Sequence, residues 1–384
     1  MSVERVAPAL TDSGLVDVGS AVEERISVAT QWQLMWWRFR KHKVAMLSLV
    51  IIAFAYLTVV FADFLSYADP LASEAQRGLI APMGIQWIDN GSFSPHVFAL
   101  TGARDPQTFK RVYVADPTKK IGVTFFAKGF EYKMFGFIPM DRHLFGVETG
   151  DPEKSLFLLG TDQQGRDMWS RLMYATQISL LIGLVGVVVS LFLGVLLGGI
   201  SGYYGGILDT VIQRIIEILR SIPTIPLFMG IAAAVPKDWD VLQVYFIITI
   251  IISLIGWTEL ARVVRGRFLS LREEDFVMAA ELVGCSQMRI IFRHMVPSFL
   301  SHIIAATSLA LPAMVITETS LSFLGLGLRP PAISWGVLLQ SAQNVQTLAI
   351  SPWLLLPAVP VIVIILAFNF LGDGLRDAAD PYGN

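Results

Sequence analysis

Charge is what this sequence has least of. Asp, Glu, Lys and Arg supply 16% of its 384 residues, against about a quarter in a water-soluble domain. The formal net charge of -2 provides no global basic field, which speaks against nucleic acid as a partner. The single cysteine, Cys285, excludes an internal disulfide and any cysteine cluster for zinc or iron–sulfur. The histidines are scattered and no H-E-x-x-H string occurs, so no metal site is expected. No G-x-x-x-x-G-K-[ST] string occurs either. The chain therefore lacks a P-loop to cradle ATP, and no cofactor is expected in it.

What is there is apolar: 54% of residues are hydrophobic and the mean hydropathy is +0.60. A helix needs about 20 mostly apolar residues to cross a bilayer. Runs that meet this lie at 44–65, 178–200, 207–235, 241–260, 297–324 and 353–371. Backbone groups find no water inside lipid, so such runs must be helical. The expected fold class is an all-α polytopic membrane protein with about six transmembrane helices. Arg38, Arg40, Lys41 and Lys43 precede the first run, and Arg262, Arg265, Arg267, Arg272, Arg289 and Arg293 lie between the fourth and fifth. By the positive-inside rule both segments face the cytoplasm. The loops 236–240 and 325–352 carry only Lys237 and Arg329 and belong outside, so both termini are expected inside. Run 44–65 begins too late and is too long for a signal peptide, and it reads as an uncleaved anchor.

The expected division is a cytoplasmic amino-terminal tail at 1–43, of which 1–30 is polar and mobile, the first span at 44–65, an extracytoplasmic insertion at 66–158, a core with five spans at 159–371, and a cytoplasmic tail at 372–384. Strand-like runs at 111–115 and 121–138, the second interrupted by Gly129, make the insertion partly β. It suits a structural lid or a docking surface for a partner.

The loop 270–297 reads as two short helices. Ser270 is placed to cap the first, with Glu273, Glu274 and Asp275 in its first turn. Ala279 and Ala280 are expected to present a small-residue face, and Gly284 is placed to end the helix in a left-handed conformation. Ser286 is placed to cap the second helix, and Pro297 stops it or opens the fifth span. A helix–glycine–helix unit suits a groove on another protein, and equally a plain connection between spans.

Ala279-Ala280, then Gly284, then Pro297 thirteen residues later, resembles the "EAA" loop of bacterial ABC-importer permeases. Three further segments resemble the dipeptide/oligopeptide branch of that family: LGTDQQGRDMWSRL at 159–172, GYYGGILDTVIQRIIEIL at 202–219 and TSLSFLGLGLRPPA at 319–332. The match covers about 159–381 and is similar to the C-type permease subunit. The resemblance implies the type I ABC-importer architecture in a bacterial inner membrane. It implies a second homologous permease, two cytoplasmic ATP-binding subunits that hold ATP and Mg, and a periplasmic solute-binding protein as partners, with lipid around the spans. It makes Glu274, Asp275, Phe276, Ala279, Ala280, Glu281, Gly284, Arg289, Arg293 and Pro297 the coupling loop, seated in an ATPase cleft. Peptides are the implied solute class, with oligosaccharides, opines and nickel as alternatives. Met278 stands where the family has Glu, and Glu281, one turn on, is a substitute.

Ionisable groups inside spans are candidates for the translocation path. Glu318 faces either the path or the backbone amides of the following loop. Arg214, Glu217 and Arg220 share one face of the third run and pair with one another, pair with the partner permease, or gate the path. Glu259 and Arg262 are expected to pair. Pro223 and Pro226 interrupt the third run and free carbonyls that can line a cavity. Asp162, Gly165, Arg166 and Asp167 form either a polar network at the outer surface or plain turn and cap chemistry, and Arg171 is expected to snorkel. Two other classes touch parts of the sequence. Gly199-Ile200-Ser201-Gly202, with His302, matches the G-x-S-G string of rhomboid-like proteases. A secondary transporter needs coupling-ion sites and an inverted repeat, and neither is visible.

Overall fold

The computed structural model describes residues 30–89, 91–104, 111–147, 156–236 and 239–379. The expected mobile tail therefore lies outside the described residues, apart from Thr30. Helix α1 (Gln31–Lys41), which the sequence did not announce, opens on a capping box between Thr30 and Gln33. Helix α2 (Lys43–Val60) follows after His42 and ends in a short turn at Ala62–Leu65.

Between α2 and the next long helix stand β1 (Gln86–Asp89), β2 (Ser92–Arg104), β3 (Arg111–Phe125), β4 (Lys128–Met134), β5 (Ile138–Arg142) and β6 (Phe145–Val147). Strands β1, β2, β3 and β6 form one antiparallel sheet in that order, and β4–β5 form a hairpin. The sheet buries Val97, Ala99, Ile121 and Val123 against Val147 and Leu156. Gly129 falls near the start of β4 and leaves room for His143, since a methyl there would stand 2.5 Å from the imidazole.

The remaining helices are α3 (Met168–Tyr204), α4 (Gly206–Ser221), α5 (Thr224–Ala234), α6 (Val241–Leu271), α7 (Asp275–Leu282), α8 (Leu300–Phe323), α9 (Trp335–Gln340), α10 (Val345–Ile350) and α11 (Ala358–Ala379). Among the described residues, five helical segments are long and apolar enough to cross a membrane, at 43–60, 168–204, 243–271, 302–323 and 352–379. The third apolar run is instead divided into α4 and α5. Ile222 is extended (φ -82, ψ 123), as the residue before a proline prefers, and Pro223 itself has no N–H to continue the ladder. Pro226 sits in the first turn of α5, where it breaks nothing.

The core of the bundle is the contact between α3 and α6. Gly186, Ser190, Gly194, Gly198 and Gly202 recur every four residues along α3 and so form one small-residue stripe. A methyl on Gly198 would stand 2.5 Å from the Ala261 carbonyl oxygen, and one on Gly202 2.5 Å from Phe268 Cβ. The backbones of the two helices therefore approach as closely as hydrogen side chains permit. Helices α2 and α11 pack in the same way where Gly374 meets Ala45. Helix α11 runs through residue 371 without a break to Ala379.

Candidate functional site

Helix α7 lies between α6 and α8. Contrary to expectation, Ser270 does not cap it: α6 continues to Leu271, and α7 starts at Asp275 with Glu274 in the N-cap position and no side-chain capping bond. Only Asp275 falls in the first turn. The carboxyl end follows expectation. Gly284 has φ +79, Cys285 N donates to Ala280 O at 3.1 Å and Gly284 N to Glu281 O at 2.9 Å. These are the two bonds of a Schellman ending. Ser286 stands at the next N-cap, but its hydroxyl makes no capping bond. The chain then runs through Gln287–Arg289, a π-wound turn at Ile290–Met295 and Val296–Ser298. Pro297 lies in that last turn, and Phe299 separates it from α8.

Ala279 and Ala280 do not share a face, because adjacent helical residues point about 100° apart. Ala280 and Val277 turn inward and pack with Ile290, Ile291, Met295 and Phe268. Ala279 is exposed together with Phe276, Met278, Leu282 and Val283, the last two at 89% and 82%. The outward face is thus apolar, rimmed by exposed Glu273, Glu274, Arg289 and Arg293. Glu281 does not point to that face. Its carboxylate accepts a hydrogen bond from the Tyr203 hydroxyl at 2.7 Å, which ties α7 to the end of α3. Arg272 Nη1 donates to Tyr203 O at 3.5 Å from the other side.

The same end of α3 carries a second tether. Asp209 of α4 takes a bidentate bond from Arg265 of α6, at 2.5 and 2.6 Å, and also accepts from the Ser201 hydroxyl. Gln213 Nε2 donates to Ser201 Oγ at 3.2 Å. The partners of Ser201 are therefore an acid and an amide on α4 rather than His302. The predicted pairings on α4 hold only in part. Arg214 and Glu217 pair at 2.6 Å and both are exposed, whereas Arg220 pairs with Glu259. Arg262 is exposed, and it is Arg220 that takes the place expected of it.

Glu318 is 1% exposed. Ser179 Oγ and Ser322 Oγ each donate to it at 2.9 Å, and Ser334 also hydrogen-bonds it. Each serine accepts in turn from a backbone N–H of the segment after α8. Trp335 N reaches Ser179 Oγ at 3.2 Å, Leu328 N reaches Ser322 Oγ at 3.0 Å, and Val337 N reaches Ser334 Oγ at 3.3 Å. Glu318 thus joins α3, α8 and α9 through hydroxyl relays. One open cleft lies between α5, α6 and the 326–332 segment, with Phe228, Trp239, Ile248, Leu326 and Arg329 in its walls. Pro223 is not among its lining residues. Trp239 and Arg329 are not among the path candidates legible in the sequence; the lone cation in an otherwise neutral loop is the available signal.

At the other end of α3, the 159–172 motif folds as a turn. Asp162 accepts from the backbone N–H of Gln164 and Arg166 and from Arg166 Nε at 2.7 Å, and Gly165 takes φ +74 against the Glu74 carbonyl. Asp167 caps α3 through Ser170 N and accepts from the Tyr67 hydroxyl, both at 2.7 Å. Burial pushes its carboxyl up to about 6, against the pull of those hydrogen bonds. Burial and the adjoining Asp167 push the Tyr67 phenol up as well. Arg171 does not snorkel. It is 1% exposed, covered by the chain around Pro70, whose carbonyl accepts from Nη1 at 3.0 Å. Among the described residues, no group of three His, Cys, Asp or Glu stands where it could hold a metal.

Comparison with known proteins places these features. Residues 194–382 match the model of the family described as binding-protein-dependent transport system inner membrane component, and 30–82 match the N-terminal TM domain of oligopeptide transport permease C. The chain is 42% identical to the oligopeptide transport system permease protein OppC of Haemophilus influenzae, over 58% of this chain and 69% of that protein. It is 32% identical to the dipeptide transport system permease protein DppC of Lactococcus lactis subsp. cremoris, over 94% of both. To the dipeptide transport system permease protein DppC of Bacillus subtilis it is 37% identical, over 61% of this chain and 72% of that protein. A near end-to-end match to one such permease, with a small-residue helix bundle and two motif-built turns at the ends of α3, identifies the chain as a member of the binding-protein-dependent transport system inner membrane component family, of the oligopeptide and dipeptide permease type.

Proposed function

We propose that the chain is one of two permease halves in an ATP-driven importer of peptide-like solutes, and that α7 is its coupling helix. The observation that carries this reading is the exposed apolar face of Phe276, Ala279, Leu282 and Val283 on a helix fixed at both ends. A face that hydrophobic, rimmed by charge, is suited to a groove on another protein. The tethers through Glu281–Tyr203 and Arg272–Tyr203 make the helix a handle on α3. Force on α7 would reach the Gly186–Gly202 stripe and thus the α3–α6 contact. ATP and Mg would be held by two separate ATP-binding subunits in the cytoplasm. Solute would arrive with a periplasmic binding protein on the side of the 66–158 insertion. With the 270–297 loop in the cytoplasm of a bacterial inner membrane, and with α4 and α5 together making a sixth crossing, both termini are cytoplasmic.

Such coupling needs two arrangements of the bundle, with the ATPases binding one better than the other. The open cleft around Trp239 and Arg329 is the part of the solute path this conformation leaves accessible. The relatives' printed names, oligopeptide and dipeptide permeases, support a peptide cargo. The test is co-purification and uptake. The chain is expressed with its partner permease and ATPase subunits, reconstituted, and assayed for ATP hydrolysis stimulated by peptide-loaded solute-binding protein. Leu282→Asp or Val283→Asp changes a side chain that touches little of this chain, so folding should be unaffected. Both variants are expected to lose ATPase association and at least tenfold in uptake. Unchanged association and uptake would remove α7 from the coupling role.

A further inference from the structure

A second exposed apolar cluster lies far from α7, where the β4–β5 hairpin meets the end of α2. In the turn of the hairpin Phe137 is 73% exposed, Phe135 52% and Ile138 40%, and at the β3–β4 junction Phe126 is 60% and Phe125 55% exposed. Phe135 packs on Phe61 at 6.2 Å between ring centroids, Phe126 on Phe64 at 6.0 Å, and Phe137 on Phe135 at 6.3 Å. We propose that this aromatic hairpin tip is a membrane-interface anchor that enters the lipid beside the far end of the first span.

Depth is the first argument. Helix α2 has 18 residues, and at ~1.5 Å per residue that spans roughly 27 Å, about one hydrocarbon core. Phe61 and Phe64 therefore stand at the membrane boundary, and the hairpin rings stand against them. Direction is the second. The exposed side of α2 is Leu47, Val50, Phe54 and Leu57, a helical stripe whose next member is Phe61. The ring that meets Phe61 is thus on the side of α2 that faces away from the bundle.

Backbone strain is the third. Phe126 and Phe135 adopt φ +56 and +55. A bulky L-residue is disfavoured there relative to glycine. A turn whose only task was to reverse the chain would be built from Gly or Asn. Phenylalanine at both positions sets one edge of each ring on Phe61 or Phe64 and leaves more than half of its surface uncovered by the chain. The hairpin is also held so that it cannot swing off the span. Leu144 N donates to Phe64 O at 2.8 Å, Arg142 Nη1 to Phe126 O at 3.1 Å, and His143 Nδ1 lies 3.0 Å from Asp63 O.

Size selects lipid over protein as the occupant. Four half-exposed rings present on the order of 400–500 Å², below the ~800 Å² per partner of a stable protein interface. Aromatic rings at the water–lipid boundary need no such area. The inference requires only that α2 spans the bilayer, so it stands or falls separately from the importer reading.

The test uses the full chain in phosphatidylcholine–phosphatidylglycerol vesicles, with Cys285→Ser as the background. Nitroxides are placed by Phe137→Cys and Ile138→Cys at the tip, by Leu57→Cys on the lipid-facing stripe, and by Val112→Cys at the opposite end of β3. Collision with oxygen and with a water-soluble nickel chelate is then measured. The tip labels are expected to follow Leu57, with oxygen collisions dominant, while Val112 shows the reverse. Tip labels that follow Val112 would overturn the anchor. Labels shielded from both reagents would overturn it too, because a protein surface would then cover the tip.

Discussion

Asp167 shows how much one residue carries at the head of α3. Its carboxylate caps the helix and receives the Tyr67 hydroxyl, yet burial raises its pKa to about 6. An unfolded aspartate titrates near 3.9. Between those values the folded chain binds more protons, so the stability tied to this group is complete below about pH 4 and is lost as pH rises through about 6. We expect Asp167→Asn, neutral at every pH, to gain on the wild type as pH rises from 4 to 7, by on the order of 2–3 kcal/mol. Thermal unfolding in detergent at several pH values checks this, and a pH-independent difference in Tm would contradict it. The sequence could place Asp167 before a helix, and so read it as a cap. It could not foresee the burial, because Tyr67 comes from a segment one hundred residues earlier.

At the scale of elements, the α3 stripe is a pattern whose period is local. Glycines four apart on an apolar helix predict close packing whatever the partner. The partner was not legible, since Ala261, Arg265 and Phe268 are recognised only once α6 is in place. Gly198→Leu forces side-chain atoms into the Ala261 backbone and should destabilise the bundle by at least ~3 kcal/mol. Gly230→Leu on α5, where a methyl would meet nothing within 4 Å, is the matched control. Expression and Tm of the two variants compare them directly. The twin alanines of α7 teach the converse. Their adjacency in sequence invited one face, but helix geometry assigns Ala280 to the core and Ala279 to the surface. Ser270 failed as a cap for a related reason: α6 is extended by tertiary packing of Phe268 and Leu271 past the point where local signals would end it.

For the whole molecule, the Glu318 relay decides whether the segment after α8 is loop or core. Three serines pass backbone N–H groups of 328–337 to one buried carboxylate. Glu318→Ala would leave these hydroxyls without their acceptor, at about 1–3 kcal/mol for each group left unsatisfied. Hydrogen exchange of residues 328–338 is expected to accelerate at least tenfold in that variant while the α3–α6 contact stays protected. If the segment exchanged as in the wild type, the relay would not be what holds it.

The sequence by itself determined the solvent, the number of apolar runs to within one broken helix, the β character of the insertion and the left-handed turn at Gly284. All of these follow from composition or from patterns within a few residues, where backbone geometry and the period of the chain suffice. Tertiary structure alone decided which polar groups are used up internally. Glu281 goes to Tyr203, Arg220 to Glu259, Arg171 to Pro70, and Glu318 to a ring of serines. Those choices depend on groups far apart in sequence meeting in space, and at the buried Arg171 and Glu318 packing excludes water, so that each must find its partner inside the protein.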